Sequence, residues 1–74
     1  MTEKVIKILS EFTEMDPMQM KRDTKLVADM GLNSFDVVNV VVAFEDEFDI
    51  EIPDRIIKDF QTVGSIADYL ESHV

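Results

Sequence analysis

One serine stands where a loop is predicted to meet a helix. Ser34 follows Gly31-Leu32-Asn33 and precedes a run of apolar and acidic residues. The first amides of a helix have no partners within it, so this position favours an anion held on the serine oxygen. A plain N-cap is equally compatible with the position, and either Ser34 or Asn33 would serve as one. The residues alone therefore leave two interpretations open: a capping serine, or a serine that carries a phosphate ester.

Few other residues are suited to chemistry. The chain has no cysteine, and His73 is its only histidine, which argues against disulfides, thiolate sites and His-based metal or triad sites. A calcium loop starting at Glu45 fails, because Ile50 stands where glycine is needed and Ile56 where a bidentate glutamate is needed. A serine hydrolase is excluded too, since the segment around Ser34 lacks the second glycine of a nucleophile elbow. No metal site is predicted.

The negative charge is concentrated in the middle of the chain. The protein has 74 residues and a net charge of -9, and Leu26 to Asp54 holds eight of the 16 acids and none of the seven bases. Such a chain repels phosphate, so nucleic acid and anionic membranes are poor partners. The acidic segment is interpreted either as a solvated face that keeps the protein soluble or as a docking surface for basic partners.

Neither a membrane span nor a signal peptide is expected. The longest uninterrupted apolar run, Val40 to Phe44, is far too short to cross a bilayer. The first residues contain no basic region followed by an apolar run, which is the pattern of a secretory signal. The sequence thus predicts a cytoplasmic protein without membrane insertion.

The apolar spacing predicts an all-α fold, a small bundle of three longer helices and one short helix, in a single domain over residues 1–74. Long loops are uncommon in compact domains, yet one is predicted from Asp16-Pro17 to about Asn33, with Gly31 making a tight bend at positive φ. Its expected core anchors are Leu26, Val27, Met30 and Leu32.

Four helices are predicted from periodicity and capping signals. The first is capped by Thr2, and the second runs from about Ser34 to Phe48. The short third helix spans about Asp54 to Asp59, and the last begins after a cap at Thr62. The apolar stripes at helical spacing are Val5, Ile8, Leu9 and Phe12 in the first helix, Val37, Val40, Val41, Phe44 and Phe48 in the second, and Val63, Ile66, Ala67 and Leu70 in the last.

Three segments together make the sequence resemble the acyl carrier protein family over nearly its whole length. They are residues 29–36 (DMGLNSFD), 44–53 (FEDEFDIEIP) and 62–70 (TVGSIADYL). In that family the serine that follows Gly-Leu-Asp carries 4′-phosphopantetheine, which comes from coenzyme A, and Ser34 holds that position. The resemblance implies a carrier that is not an enzyme. Its thiol-ended arm would hold acyl groups as thioesters, in fatty acid and lipid metabolism or in a dedicated acyl-modification pathway.

The resemblance also implies partners: a phosphopantetheinyl transferase, and acyl-loading and acyl-transferring enzymes with basic docking patches that meet a monomeric carrier. The residues expected to contact them are Phe35, Val38 and Val42 on an apolar stripe beside Ser34, and the acids Asp36, Glu45, Asp46 and Glu47. The expected lining for an acyl chain is Leu26, Phe44, Ile52, Ile57 and Ala67.

Three residues on this recognition face depart from the family pattern. Asn33 replaces the usual Asp, Phe35 the usual Leu, and Asn39 a Glu found in many fatty-acid-synthesis carriers. We therefore hypothesise a specialised carrier that serves a dedicated pathway. A carrier of amino acid or polyketide units, and an unmodified acidic helical module that binds a basic protein, remain alternatives.

Overall fold

The computed structural model describes residues 1–73, and within them the fold is all-α, as predicted. Its α-helices are α1 (Thr2–Leu9), α2 (Ser34–Phe48), α3 (Asp54–Ile57) and α4 (Val63–His73). The bounds of α2 agree with the prediction, whereas α3 stops two residues early and α1 ends before Phe12. A 3-10 turn at Pro17–Gln19 was not predicted.

The core lies between α1, α2 and α4. Each of these helices contributes buried side chains at the predicted spacing. Those with almost no exposed surface include Val5 and Leu9 of α1, Val40 and Phe44 of α2, and Ile66 and Leu70 of α4. The consecutive valines of α2 favour strand by intrinsic propensity. Because their buried members fall at helical spacing, packing against α1 and α4 outweighs that preference.

The predicted cap of α1 is wrong. The amides of Lys4 and Val5 donate to the carbonyl of Met1, so Met1 is the N-cap and Thr2 is already helical. The Thr2 hydroxyl instead accepts a hydrogen bond from the Arg22 guanidinium at 3.3 Å. Arg22 also donates to Asp68 at 2.7 Å, and that hydrogen bond and the charge of Asp68 raise the pKa of Arg22. Arg22 thus joins the first loop to both terminal helices.

The first loop is held against the start of α4 by backbone hydrogen bonds. Leu26 donates to the carbonyl of Gln61, Val63 donates to Thr24, and Gly64 donates to Arg22, at 3.0, 3.1 and 2.8 Å. Directly after this contact the chain turns over residues 26–30, and the turn buries Leu26 but leaves Val27 63% exposed. The prediction of Val27 as a core anchor is therefore wrong, whereas Leu26, Met30 and Leu32 are buried.

The loop ends in the predicted bend. Gly31 has φ +75°, a conformation that side chains with a Cβ rarely adopt. Thr62 caps α4 as predicted, since its Oγ1 accepts a hydrogen bond from the Ser65 amide at 3.2 Å. No helix within residues 1–73 has the length and apolar character needed to cross a membrane.

Candidate functional site

The start of α2 is capped by Asn33 and not by Ser34. The Asp36 amide donates to Asn33 Oδ1 at 2.8 Å, and the Asn33 amide donates to Asp36 Oδ2 at 3.3 Å. These two reciprocal bonds form a capping box that satisfies two of the unpaired amide donors at this helix end. Of the two interpretations left open by the sequence, the capping role thus belongs to Asn33, and Ser34 is the first helical residue.

Ser34 has the one serine or threonine hydroxyl without a hydrogen bond within residues 1–73. The chain contains four serines and four threonines. The other seven hydroxyls all bond within the chain: Thr2, Ser10, Thr13, Thr24, Thr62, Ser65 and Ser72. Ser34 is also exposed to solvent. Its oxygen is therefore both accessible and uncommitted, which is what an attachment site requires.

An open groove of about 540 Å³ begins beside Ser34. Its apolar lining comes from α2, α3, the first loop and the loop between α3 and α4. The lining residues are Val27, Val37, Val38, Ile57 and Phe60. Of the five residues expected to line an acyl site, Ile57 alone lies here. The other four, Leu26, Phe44, Ile52 and Ala67, belong to the buried core. Sequence periodicity identifies buried positions, but it does not show where two packed elements leave a gap.

Lys58 and Phe60 line this groove although no sequence pattern indicated them, and Val27 lines it although it was predicted as a core anchor. Lys58 follows α3 directly, and its exposed side chain places a cation at the edge of a strongly acidic region. The sequence does show that the acidic segment ends at Asp54 and that two bases, Arg55 and Lys58, follow it. The sequence does not show that α3 packs beside Ser34.

The apolar stripe next to Ser34 is exposed. Phe35 is 73% exposed, and Val38 and Val42 are each 47% exposed. Val27 lines the same groove as Val38, which follows Phe35 and precedes Val42 at helical spacing, and we call these four residues the apolar patch. Large apolar side chains grouped on a small monomer mark interaction surfaces more often than isolated ones do.

The acids predicted to meet partners fall into two groups. Asp46 and Glu47 are exposed, and no hydrogen bond or ion pair within residues 1–73 occupies their side chains. Asp36 and Glu45 are half-buried and bonded within the chain. Glu45 Oε2 accepts a hydrogen bond from the Ile52 amide at 2.8 Å, so it fastens the segment after α2 to the helix.

Glu45→Ala is expected to lower the free energy of unfolding by about 1.5–3 kcal/mol, because it leaves the amide of buried Ile52 without its charged acceptor. Glu47→Ala is the matched control and should change that free energy by less than about 0.5 kcal/mol, since its side chain is exposed. Urea denaturation of both variants measures the difference. Equal losses would show that the Glu45 bond adds nothing to stability.

A second groove, of about 480 Å³, lies between α1 and the end of α2 and is lined by Lys4, Lys7, Ile8, Glu11, Glu47 and Phe48. Ser34 is not among its residues. Within residues 1–73, no three His, Cys, Asp or Glu side chains converge as a metal site would need.

Comparison with known proteins shows the family of the chain. The family described as "Phosphopantetheine attachment site" matches residues 3–70. The acyl carrier protein of Bdellovibrio bacteriovorus is 41% identical over 68 residues, which cover 92% of this chain and 87% of that protein. The chain belongs to the acyl carrier protein family. The mitochondrial acyl carrier protein of Saccharomyces cerevisiae is 38% identical over 76 residues, and the alignment covers 97% of this chain but only 61% of that protein.

The fold agrees with the same family. The solved structure of the acyl carrier protein from Enterococcus faecalis superposes with a TM-score of 0.86 at 32% identity, covering 99% of this chain and 92% of that one. Family membership confirms the resemblance inferred from the three segments. It also makes the chain a carrier and not an enzyme, with a covalent 4′-phosphopantetheine as its prosthetic group.

The residues at the start of α2 fit that group. A phosphodiester needs an accessible oxygen, and Ser34 supplies the one uncommitted serine or threonine hydroxyl within residues 1–73. The negative phosphate would sit at the positive end of the α2 dipole. When bound, the arm supplies a terminal thiol that holds acyl groups as thioesters, which is why a chain without cysteine can do thiol chemistry.

Proposed function

We propose that Ser34 is the attachment site of 4′-phosphopantetheine. The observation that supports it is the exposed hydroxyl at the first position of α2, left free by the Asn33 cap. On the transferase, Ser34 Oγ attacks the phosphorus of coenzyme A that bears the pantetheine. The bond from that phosphorus to the oxygen shared with the second phosphate breaks. The hydroxyl proton goes to a base, and adenosine 3′,5′-bisphosphate leaves.

The apolar patch and the acids of α2 form the docking surface of the proposed carrier. Phe35, Val38 and Val42 would be buried against the partner, and exposed Asp46 and Glu47 would face its Lys and Arg side chains. Charges at such a surface mainly raise the rate of encounter and make it sensitive to salt. Asp36 and Glu45 would add negative field from fixed positions, because each is held by hydrogen bonds within the chain.

The partners of the proposed carrier are a phosphopantetheinyl transferase and acyl-loading and acyl-transferring enzymes. The cargo is an acyl group of fatty acid or lipid metabolism or of a dedicated acyl-modification pathway. The apolar lining of the groove beside Ser34 suits such a cargo, since each buried CH₂ contributes about 0.8 kcal/mol. The carrier acts as a cytoplasmic monomer formed by the whole chain, and its charge of -9 opposes self-association.

A specialised pathway is favoured by Asn33, Phe35 and Asn39. All three side chains are exposed around the start of α2, where a partner must approach Ser34. We expect the general fatty-acid elongation enzymes to use this carrier several-fold less efficiently than a housekeeping carrier. Elongation rates on the two acyl-loaded carriers, measured side by side, test this. Equal rates would contradict specialisation.

Modification in vitro tests the proposed site. The wild-type protein is incubated with coenzyme A and, in turn, several phosphopantetheinyl transferases, and its intact mass is measured. A gain of one phosphopantetheine, with a free thiol that titrates with a thiol reagent, supports the proposal. No gain with any transferase would favour the unmodified acidic module. The acyl group found on protein from its native host distinguishes acyl cargo from amino acid or polyketide units.

A further inference from the structure

Asn33 and Ser34 are neighbours that are both suited to cap α2. Serine and asparagine rank together among N-cap residues, so the sequence does not decide between them. In the structure Asn33 has the extended backbone of an N-cap, with φ -98° and ψ 179°, and Ser34 is helical. Helical Cβ atoms tilt towards the N-terminus, so the Ser34 side chain leans off the end of the helix and away from the amides that a cap would bond.

We infer that Asn33 is a positioning residue that keeps the Ser34 hydroxyl free for modification, an inference that rests on the proposed function. Asn33 Oδ1 occupies the Asp36 amide at 2.8 Å, which removes the donor that Ser34 Oγ would otherwise bind. The return bond from the Asn33 amide to Asp36 Oδ2 at 3.3 Å holds both residues in this register. The identity of the cap therefore decides whether Ser34 carries a free or a bonded oxygen.

An alternative helix start, with Ser34 as the N-cap, differs from the observed one by a single residue. If residue 33 offered no acceptor, Ser34 could become the N-cap by a shift of one residue, which would sacrifice the backbone bond from Val37 to the Asn33 carbonyl at 3.0 Å. The Ser34 oxygen would then accept from an amide of the first turn, with one lone pair engaged and its side chain turned towards the helix. A nucleophile held this way attacks phosphorus more slowly even when the transferase binds normally.

The test compares substitutions at residue 33 in the full chain. Asn33→Leu removes the acceptor at similar size, and Asn33→Asp keeps it. Thr62→Val removes the cap of α4, whose Oγ1 accepts from the Ser65 amide, and serves as the matched control away from α2. The readouts are the thermal midpoint of each variant and kcat and KM for modification, with coenzyme A and a transferase that modifies the wild type.

Asn33→Leu is expected to lower kcat roughly five- to tenfold with little change in KM, the factor that a lost cap of ordinary strength gives. Asn33→Asp should keep kcat within about twofold of the wild-type value, whereas its added charge should change KM. Thr62→Val should lower the thermal midpoint about as much as Asn33→Leu and leave kcat unchanged, which separates positioning from stability.

An unchanged kcat in Asn33→Leu overturns the inference and leaves the proposed function standing. An equal loss of kcat in Thr62→Val overturns it as well, because the effect would then follow stability. If Asn33→Leu does not fold, Asn33→Ala replaces it, since alanine also removes the side-chain acceptor and the cap, and the same five- to tenfold loss of kcat is expected. A wild-type chain that gains no mass with any transferase ends the proposed function, and this inference with it.

Discussion

Ser34→Ala is expected to abolish attachment of phosphopantetheine while leaving the fold intact. Within residues 1–73 the hydroxyl has no hydrogen bond to lose, and the side chain is exposed. The free energy of unfolding should therefore change by less than about 0.5 kcal/mol. Intact-mass measurement after incubation with coenzyme A and a transferase should show full conversion of the wild type and none of the variant.

Ser72→Ala is the control for this experiment. It removes another exposed serine hydroxyl on a helix, one that donates to the Asp68 carbonyl at 3.2 Å. This variant should gain the same mass as the wild type. Conversion of Ser34→Ala would place the attachment site elsewhere in the chain and contradict the proposal.

Phe44→Ala is expected to bring the protein close to unfolding. Phe44 is completely buried and packs against Phe48, with ring centroids 6.4 Å apart. Phe-to-Ala changes in a core cost about 3–5 kcal/mol. A domain of this size has about 4–11 kcal/mol of stability in total, so much or all of it is lost. Circular dichroism during urea titration measures the loss.

Phe35→Ala removes the same side chain from a surface position and serves as the comparison. Because Phe35 is 73% exposed, its loss should change the free energy of unfolding by less than about 0.5 kcal/mol. It should instead weaken docking of the proposed partners. Similar destabilisation by the two substitutions would show that the exposed ring contributes to the core.

Sequence periodicity predicted the helices well because their core contacts repeat at 3.6 residues. Val40, Val41 and Phe44 face the core at that spacing, and the bounds of α2 followed from it. The first loop has no such repeat. Val27 was expected inside because it is apolar, but the loop turns over residues 26–30 directly after the bridge between Lys25 and Thr62, and that turn leaves Val27 exposed. A contact between residues 37 positions apart leaves no local signal.

The proposed attachment site was also only partly predictable from the sequence. The motif around Ser34 selected the residue, but two capping residues of equal propensity stand side by side. The hydrogen bonds of Asn33 resolve that choice. The groove was predicted less well than the serine, because Phe60 and Lys58 reach it through the packing of α3 and the loop after it. The spacing of residues along one helix does not show where a groove lies between two helices.

The acidic segment also has a consequence for the free protein. Its eight carboxylates have no base among them, and within residues 1–73 the one side-chain ion pair, Arg22 with Asp68, lies outside it. These carboxylates repel one another across the folded chain, and the repulsion is strongest at low ionic strength. A basic partner that binds the folded form relieves this repulsion and stabilises the fold by mass action. Docking and thermal stability are thus linked, so the melting temperature of the carrier in the presence of an enzyme reports how well the two surfaces match.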